Sequence, residues 1–142
     1  MLVKDAMNKR VIAIKPNTTV REAARIMTKY RIGSLLVMEN EKLLGIVTEL
    51  DILWKVVAEN RNPETTLVNE IMSKEVITVK PNQTLEDAAQ LMVEKKIKKL
   101  PVVEDDKIVG IITATDLISI QPKLIEALAK LLLFRERKPI AG

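Results

Sequence analysis

The sequence has no histidine and no cysteine among its 142 residues, and its only aromatic side chains are Tyr30, Trp54 and Phe134. Without histidine there can be no Ser-His-Asp triad, no Cys-His pair and no imidazole-ligated zinc. Catalysis would have to rest on carboxylates, lysines, hydroxyls or a bound metal, which weighs against an enzyme. Without cysteine there are no disulfides and no thiolate metal sites, although redox compartment stays open on that count alone. Long apolar runs are missing too: hydrophobic residues make up 47% of the chain but are spread throughout, and no stretch could span a bilayer. The N-terminus lacks the apolar core of a signal peptide, so the expected location is cytoplasmic, with no membrane partner.

A strong charge of one sign is also absent. The net charge of +4 divides into +3 over residues 1–65 (eleven basic, eight acidic), −2 over 66–121 (seven and nine) and +3 from Pro122 onward (five and two). Nucleic-acid binders usually carry a stronger basic stripe, so nucleic acid is not the expected partner. A nucleic-acid-binding module built on the basic tail and Lys95–Lys99 stays as an alternative, as does a scaffold protein without a ligand.

What the chain does have is a duplication. Shifted along itself by sixty-five residues, it matches without a gap: between residues 3 and 53, 21 of 51 aligned pairs are identical. Val11-Ile-Ala-Ile-Lys-Pro-Asn17 falls on Val76-Ile-Thr-Val-Lys-Pro-Asn82, and Gly45-Ile-Val-Thr-Glu-Leu-Asp51 falls on Gly110-Ile-Ile-Thr-Ala-Thr-Asp116. Two similar halves sharing a core are expected, because a unit of about sixty residues buries its apolar face poorly alone.

Each copy reads as strand, helix, strand, strand, helix. Val11–Ile14 and Val76–Val79 are short β-branched runs stopped by Lys-Pro. Thr19…Glu22 and Thr84…Asp87 fit the capping box that opens a helix, with Val20, Ala23, Ala24 and Met27 on one face of the first. Apolar runs on either side of Asn40-Glu41, and again of Asp105-Asp106, predict hairpins. A second helix opens at Thr48 and at Thr113. The polar stretch 59–66 connects the copies, giving divisions at 1–60, 66–121 and 122–142. In the last of these, Leu124, Ile125, Leu128, Leu131 and Leu132 predict an amphipathic helix over Lys123–Phe134, either docked on its own domain or forming a dimer contact. Arg135–Lys138 would follow its C-terminus favourably.

Thr48…Asp51 and Thr113…Asp116 also match the capping box, but a glycine-led strand runs straight into them and both copies keep Asp. Such a corner gathers free N–H groups and a hydroxyl, which suit a phosphate, with a carboxylate that accepts from the two hydroxyls of a ribose. For Thr19 and Thr84 the cap alone is the expected role. An adenine base would need an apolar slot, and aliphatic residues such as Ile12 and Ile77 would line it. Met7, Met27, Met72 and Met92 repeat in register without Cys or His beside them, so they read as core filling and not as a metal site.

The ordered set of motifs resembles a tandem pair of CBS domains, also called a Bateman module. It comprises Met, a strand ending in Lys-Pro, an Ala-Ala helix, Leu100-Pro-Val-Val103 and Gly110-Ile-Ile-Thr-x-x-Asp116, and the resemblance covers residues 1–120. It implies an α/β fold of two pseudo-twofold-related β-α-β-β-α units. It also implies a non-catalytic regulatory role, with adenosine-containing ligands held in clefts between the motifs. By that resemblance Asp51 and Asp116 hold ribose, Thr48 and Thr113 reach phosphate, and Ile12-Ala13 and Ile77-Thr78 frame the adenine. The copies differ at the remaining positions. Lys99, ahead of Pro101, can neutralise a phosphate, whereas Gly33 and Ser34 offer only backbone and a hydroxyl, so unequal sites are expected. Lys95 and Lys96 read as a solvated helix end. The expected ligands are AMP, ADP or ATP, or else S-adenosylmethionine. No cofactor or metal is required, and the signal would pass to a homodimer or to a separate effector protein.

Overall fold

The computed structural model describes residues 1–132. In chain order its elements begin with a helical turn α1 (Val3–Ala6), strand β1 (Ala13–Ile14) and helix α2 (Val20–Tyr30). Strands β2 (Ser34–Glu39) and β3 (Lys42–Thr48) follow, then helix α3 (Glu49–Ile52), which runs on as a π-helical turn over Leu53–Val57. A 3-10 turn at Val68–Glu70 precedes α4 (Leu85–Lys95), β4 (Lys99–Glu104), β5 (Lys107–Thr113) and α5 (Ala114–Ile120). After a further 3-10 turn at Pro122–Leu124, α6 covers Ile125–Leu132. The fold is mixed α/β, and among the described residues no helix is long and apolar enough to cross a membrane.

The two hairpins form where the apolar runs place them. Glu39 pairs with Lys42 and Glu104 with Lys107, leaving two-residue loops. Both loop residues take positive φ, at 52° and 68° for Asn40 and Glu41 and 51° and 63° for Asp105 and Asp106. A two-residue loop of this kind follows the right-handed twist of its strands only with φ positive at both positions, and Asn or Asp at the first eases that conformation.

The short strand ahead of each first helix behaves differently in the two repeats. In the first, β1 joins β2 in parallel, Ala13 opposite Leu36 and Ile14 opposite Val37. In the second, the expected strand over Val76–Val79 shrinks to one bridge, Val79 opposite Val102. Pro101 stands where the first repeat has Leu36, and it has no N–H with which to bond the Ile77 carbonyl, so the ladder stops one residue early. The remaining bonds, from Val79 N to Pro101 O (3.0 Å) and from Val103 N to Val79 O (2.9 Å), are intact.

The chain falls into two compact units, and each repeat sends its opening residues to the other's unit. One unit is Ile12–Val76; the other combines Met1–Val11 with the described residues from Ile77 to Leu132. In the first-repeat unit, Val68 is fully buried beside Val20 and Ile71, and its N–H donates to Thr18 O at 2.8 Å. In the second-repeat unit Val3 takes the same place, buried with Leu85 and Ala88, and its N–H donates to Gln83 O at 2.8 Å. Burial of each valine stabilises its unit by about 1.5–3 kcal/mol.

The apolar stripe near the C-terminus docks on its own unit. Leu124 and Leu128 are buried with Met92 and Leu117, and Leu131 packs against the same cluster, which brings α6 onto α4. Of the dimer and docked readings, these three leucines follow the docked one, while Ile125 faces outward at 49% exposure. Phe134 and the run Arg135–Lys138 lie outside the described residues. Met27 and Met92 are core residues, as expected.

Gly45 and Gly110 are the seats for the exchanged segments. Asn8 bridges Ile111 and Ser73 bridges Ile46, each by a reciprocal pair of backbone bonds. A Cβ on Gly110 would lie 2.6 Å from Met7 Sδ and 3.0 Å from Asn8 O, and on Gly45 it would lie 2.6 Å from Ser73 O and 2.8 Å from Met72 Sδ. The motif glycine therefore admits a neighbouring strand. Gly45→Ala and Gly110→Ala should each destabilise the protein by about 1–3 kcal/mol through overpacking. Gly45→Ala should be the worse of the two, because a backbone carbonyl yields less readily than a methionine. Thermal melting checks this, and a Gly45→Ala protein that melts with the wild type would refute it.

Candidate ligand-binding corners

Each repeat keeps its candidate residues inside one unit. Ile12, Ala13, Gly33, Ser34, Thr48 and Asp51 belong to the first-repeat unit, and Ile77, Thr78, Lys99, Pro101, Thr113 and Asp116 to the second. The hairpins do the gathering: Ser34 is the cross-strand partner of Thr48, and Lys99 of Thr113. The threonines end β3 and β5 in extended conformation and cap the next helix. A strand with a polar last residue thus delivers its hydroxyl to a helix start.

All four threonines singled out in the sequence are N-caps. Thr48, Thr84 and Thr113 form reciprocal boxes with Asp51, Asp87 and Asp116, whereas Thr19 accepts from Glu22 N (3.1 Å) with no return bond. Capping alone does not separate the candidate pairs from the others. Their setting does: the Thr48 and Thr113 boxes are partly buried and those at Thr19 and Thr84 are exposed. In the second-repeat corner Thr113 N donates to Asp116 Oδ2 at 2.9 Å, and Asp116 N donates to Thr113 Oγ1 at 3.1 Å. Among the described residues Asp116 Oδ1 has no partner.

The first-repeat corner has the same bonds and three more. Thr48 N donates to Asp51 Oδ2 at 2.9 Å, Asp51 N to Thr48 Oγ1 at 3.2 Å, and Thr48 Oγ1 lies 3.2 Å from Asp51 Oδ2. Asp51 Oδ1 then takes an ion pair from Lys55 Nζ at 2.9 Å, and the same ammonium donates to Ile71 O at 2.8 Å. Glu49 crowds this corner from the other side. Its N–H bonds Gly33 O at 2.9 Å, and a Cβ on Gly33 would lie only 3.0 Å from Oε1 and 3.3 Å from Oε2. The second repeat has Ala114, Lys98 and Ile120 at the places of Glu49, Gly33 and Lys55. Glu49 and Lys55 belong to no motif, although the repeat shift exposes both as positions where charge differs near an unchanged Asp.

The remaining candidates are placed more loosely. Ile12 and Ile77 pack against their cores while Ala13 and Thr78 are exposed, as alternation along a strand requires. Ile12 and Ala13 line a groove whose other wall is α2, with Glu22, Arg25 and Tyr30, whereas Gly33 borders a separate groove with Met27, Arg31 and Glu49. A larger groove of about 620 Å³ in the second-repeat unit runs between Lys4, Lys9, Lys80 and Glu104 and includes no candidate residue. Lys99 is partly buried, and that burial holds its ammonium below the ordinary lysine pKa. Among the described residues no cluster of three or more metal-binding side chains is present.

Comparison with known proteins bears on both repeats. The CBS domain profile matches residues 3–58 and again 68–123. The CBS domain-containing protein YhcV of Bacillus subtilis is 40% identical over 115 residues, 81% of each chain. The inosine-5'-monophosphate dehydrogenase of Korarchaeum cryptofilum is 42% identical over 107 residues, which is 75% of this chain but only 21% of that enzyme. Among solved structures, the CBS domain pair of protein MJ0100, in complex with 5'-methylthioadenosine and S-adenosyl-L-methionine, superposes with a TM-score of 0.75 at 34% identity, covering 87% of this chain and 97% of that one. Two profile matches, a relative of equal span and a superposable pair agree with the duplication read above, and the chain belongs to the CBS domain family as a tandem pair, a regulatory type of module.

Proposed function

We propose that this CBS pair is a non-catalytic, cytoplasmic sensor of adenosine-containing ligands, AMP, ADP, ATP or S-adenosylmethionine, and that it passes binding on to a second copy or to an effector protein. The observation that carries the reading is Asp116. Its carboxylate is held at a partly buried corner by the Thr113 N–H, and one oxygen remains to accept from a ribose hydroxyl. Lys99, paired across the hairpin with Thr113, supplies positive charge for a phosphate. The bound adenosine compounds of MJ0100 are consistent with the class of ligand.

A relay to a second copy has a surface available. Leu50, Leu53, Trp54 and Val57 follow helical spacing and are all exposed, by 46–66%. An apolar stripe of that kind on a soluble chain marks an interaction surface. Light scattering should give a homodimer, and Trp54→Glu should give the monomer; a wild type that is monomeric at every concentration removes this route.

The sensing reading is tested by melting the protein with a panel of these ligands. A ligand at about one hundred times its Kd adds roughly 2.7 kcal/mol, which for a chain of this size raises Tm on the order of 5–15 °C. Asp116→Ala should lose the shift while its own melting falls by about 1 kcal/mol from the weakened cap. A panel without any shift would leave the corner as a helix cap and nothing more.

Lys99 gives a pH signature. Its folded pKa is depressed by burial, so the folded chain holds fewer protons than the unfolded one just below 10.5. Stability from this group therefore rises with pH through that window. Lys99→Met should flatten the alkaline rise in Tm relative to wild type. The same variant should weaken phosphorylated ligands and leave adenosine itself unaffected; equal weakening of both would deny Lys99 a phosphate.

A further inference from the structure

The two corners share their threonine and aspartate yet differ in what surrounds the carboxylate. Asp51 has both oxygens engaged, Oδ2 by Thr48 N and Oδ1 by Lys55 Nζ. Lys55 is itself held twice, since Ile71 O takes a second hydrogen bond from it. The turn that carries it is π-helical, with Ala58 N bonding Leu53 O five residues back, whereas α5 of the second repeat stays α-helical through Ile120. On the other side the Glu49 carboxylate lies against Gly33, where the second repeat has Lys98.

Resting on the sensing reading above, we propose that the chain takes one anionic adenine nucleotide, at the second-repeat corner, and that Lys55 and Glu49 keep the first-repeat corner from taking another. A ribose diol at Asp51 would have to share or displace the ammonium on Oδ1, exchanging an ion pair for a hydrogen bond from a neutral donor. A phosphate near Gly33 and Ser34 would meet the Glu49 carboxylate, a like charge; Arg31 borders the same groove, as Lys96 takes its place in the second repeat, but positions 33 and 34 carry no counterpart of Lys98 and Lys99. Neither obstacle exists at Asp116, which has Ala114 and Ile120 in those places. Lys55 therefore acts as an internal occupant: it satisfies with protein the carboxylate that the other corner leaves for ligand.

Titration calorimetry of the full chain with AMP, ADP and ATP decides it. The expected stoichiometry is one nucleotide per chain, and Asp116→Asn should weaken that site by about 10- to 100-fold, the effect of losing a hydrogen bond to a charged group. Glu49→Ala with Lys55→Ile, which copies Ala114 and Ile120 into the first repeat, should add a second binding event. Lys55→Met alone, checked by its own melting curve, serves if the double variant does not fold. Two sites of similar affinity in the wild type overturn the proposal, as does a single site that survives Asp116→Asn, or binding of S-adenosylmethionine but of no nucleotide. In those three cases the sensing reading stands. Should neither nucleotide nor S-adenosylmethionine bind, the sensing reading itself fails.

Discussion

A carboxylate has two oxygens, and at the end of each hairpin one of them is bound to the first N–H of its own helix turn. That bond, 2.9 Å in both repeats, joins the last strand of the hairpin to the helix that follows. It also fixes where the second oxygen sits. The sharpest chemical difference between the two corners is what that second oxygen meets. In one half it meets an ammonium from four residues on; in the other it stays available. The cap and the ligand are therefore not competing roles for the same group. A helix start that holds its Asp by one oxygen orients the other, and an oriented acceptor loses less freedom on binding than a mobile one.

Much of this was legible in the chain. The sixty-five-residue shift, the polar hairpin tips and the four threonines placed the elements, because each rests on local chemistry: β-branched runs, loop residues tolerant of positive φ, and hydroxyls that bond the next turn. What was not legible rests on distant partners. Gly45 and Gly110 read as part of a phosphate corner, but they are small because Ser73 and Met7 come within contact of them, from segments far off in sequence. Residues 1–11 read as the start of the first repeat, yet Val3 completes the core of the second. Leu128 carried an apolar stripe without a visible partner until α4 supplied one. The single bridge at Val79 is legible in the chain, since Pro101 lacks the N–H that a longer ladder needs.

The same division holds at the corners. Thr48, Asp51, Thr113 and Asp116 could be read from the repeat because they are identical. Glu49 and Lys55 could not be read from a motif, because they are where the repeat fails. Their counterparts, Ala114 and Ile120, are apolar and ask no question by themselves. Only the geometry shows what the differences do: Lys55 pairs with Asp51 at 2.9 Å, and Glu49 lies against Gly33, whose neighbour Ser34 is the cross-strand partner of Thr48.

An exposed ion pair between residues four apart on a helix contributes only about 0.3–0.5 kcal/mol, so Lys55 would be a weak guard if Asp51 were its sole partner. It is not a simple surface pair. The Asp51 side chain is only 15% exposed, and the ammonium is also bonded to the Ile71 carbonyl, on the segment that the first-repeat unit recruits from beyond its own hairpin. To free the carboxylate, a ligand has to leave that ammonium with one partner fewer at a corner where Glu49 already disfavours phosphate. Two modest effects of the same sign then act on one site, while the duplicate corner has neither. Duplication supplied two equal carboxylates; differences at three positions leave one of them paired within the protein and, on the proposal above, the other open to a ligand.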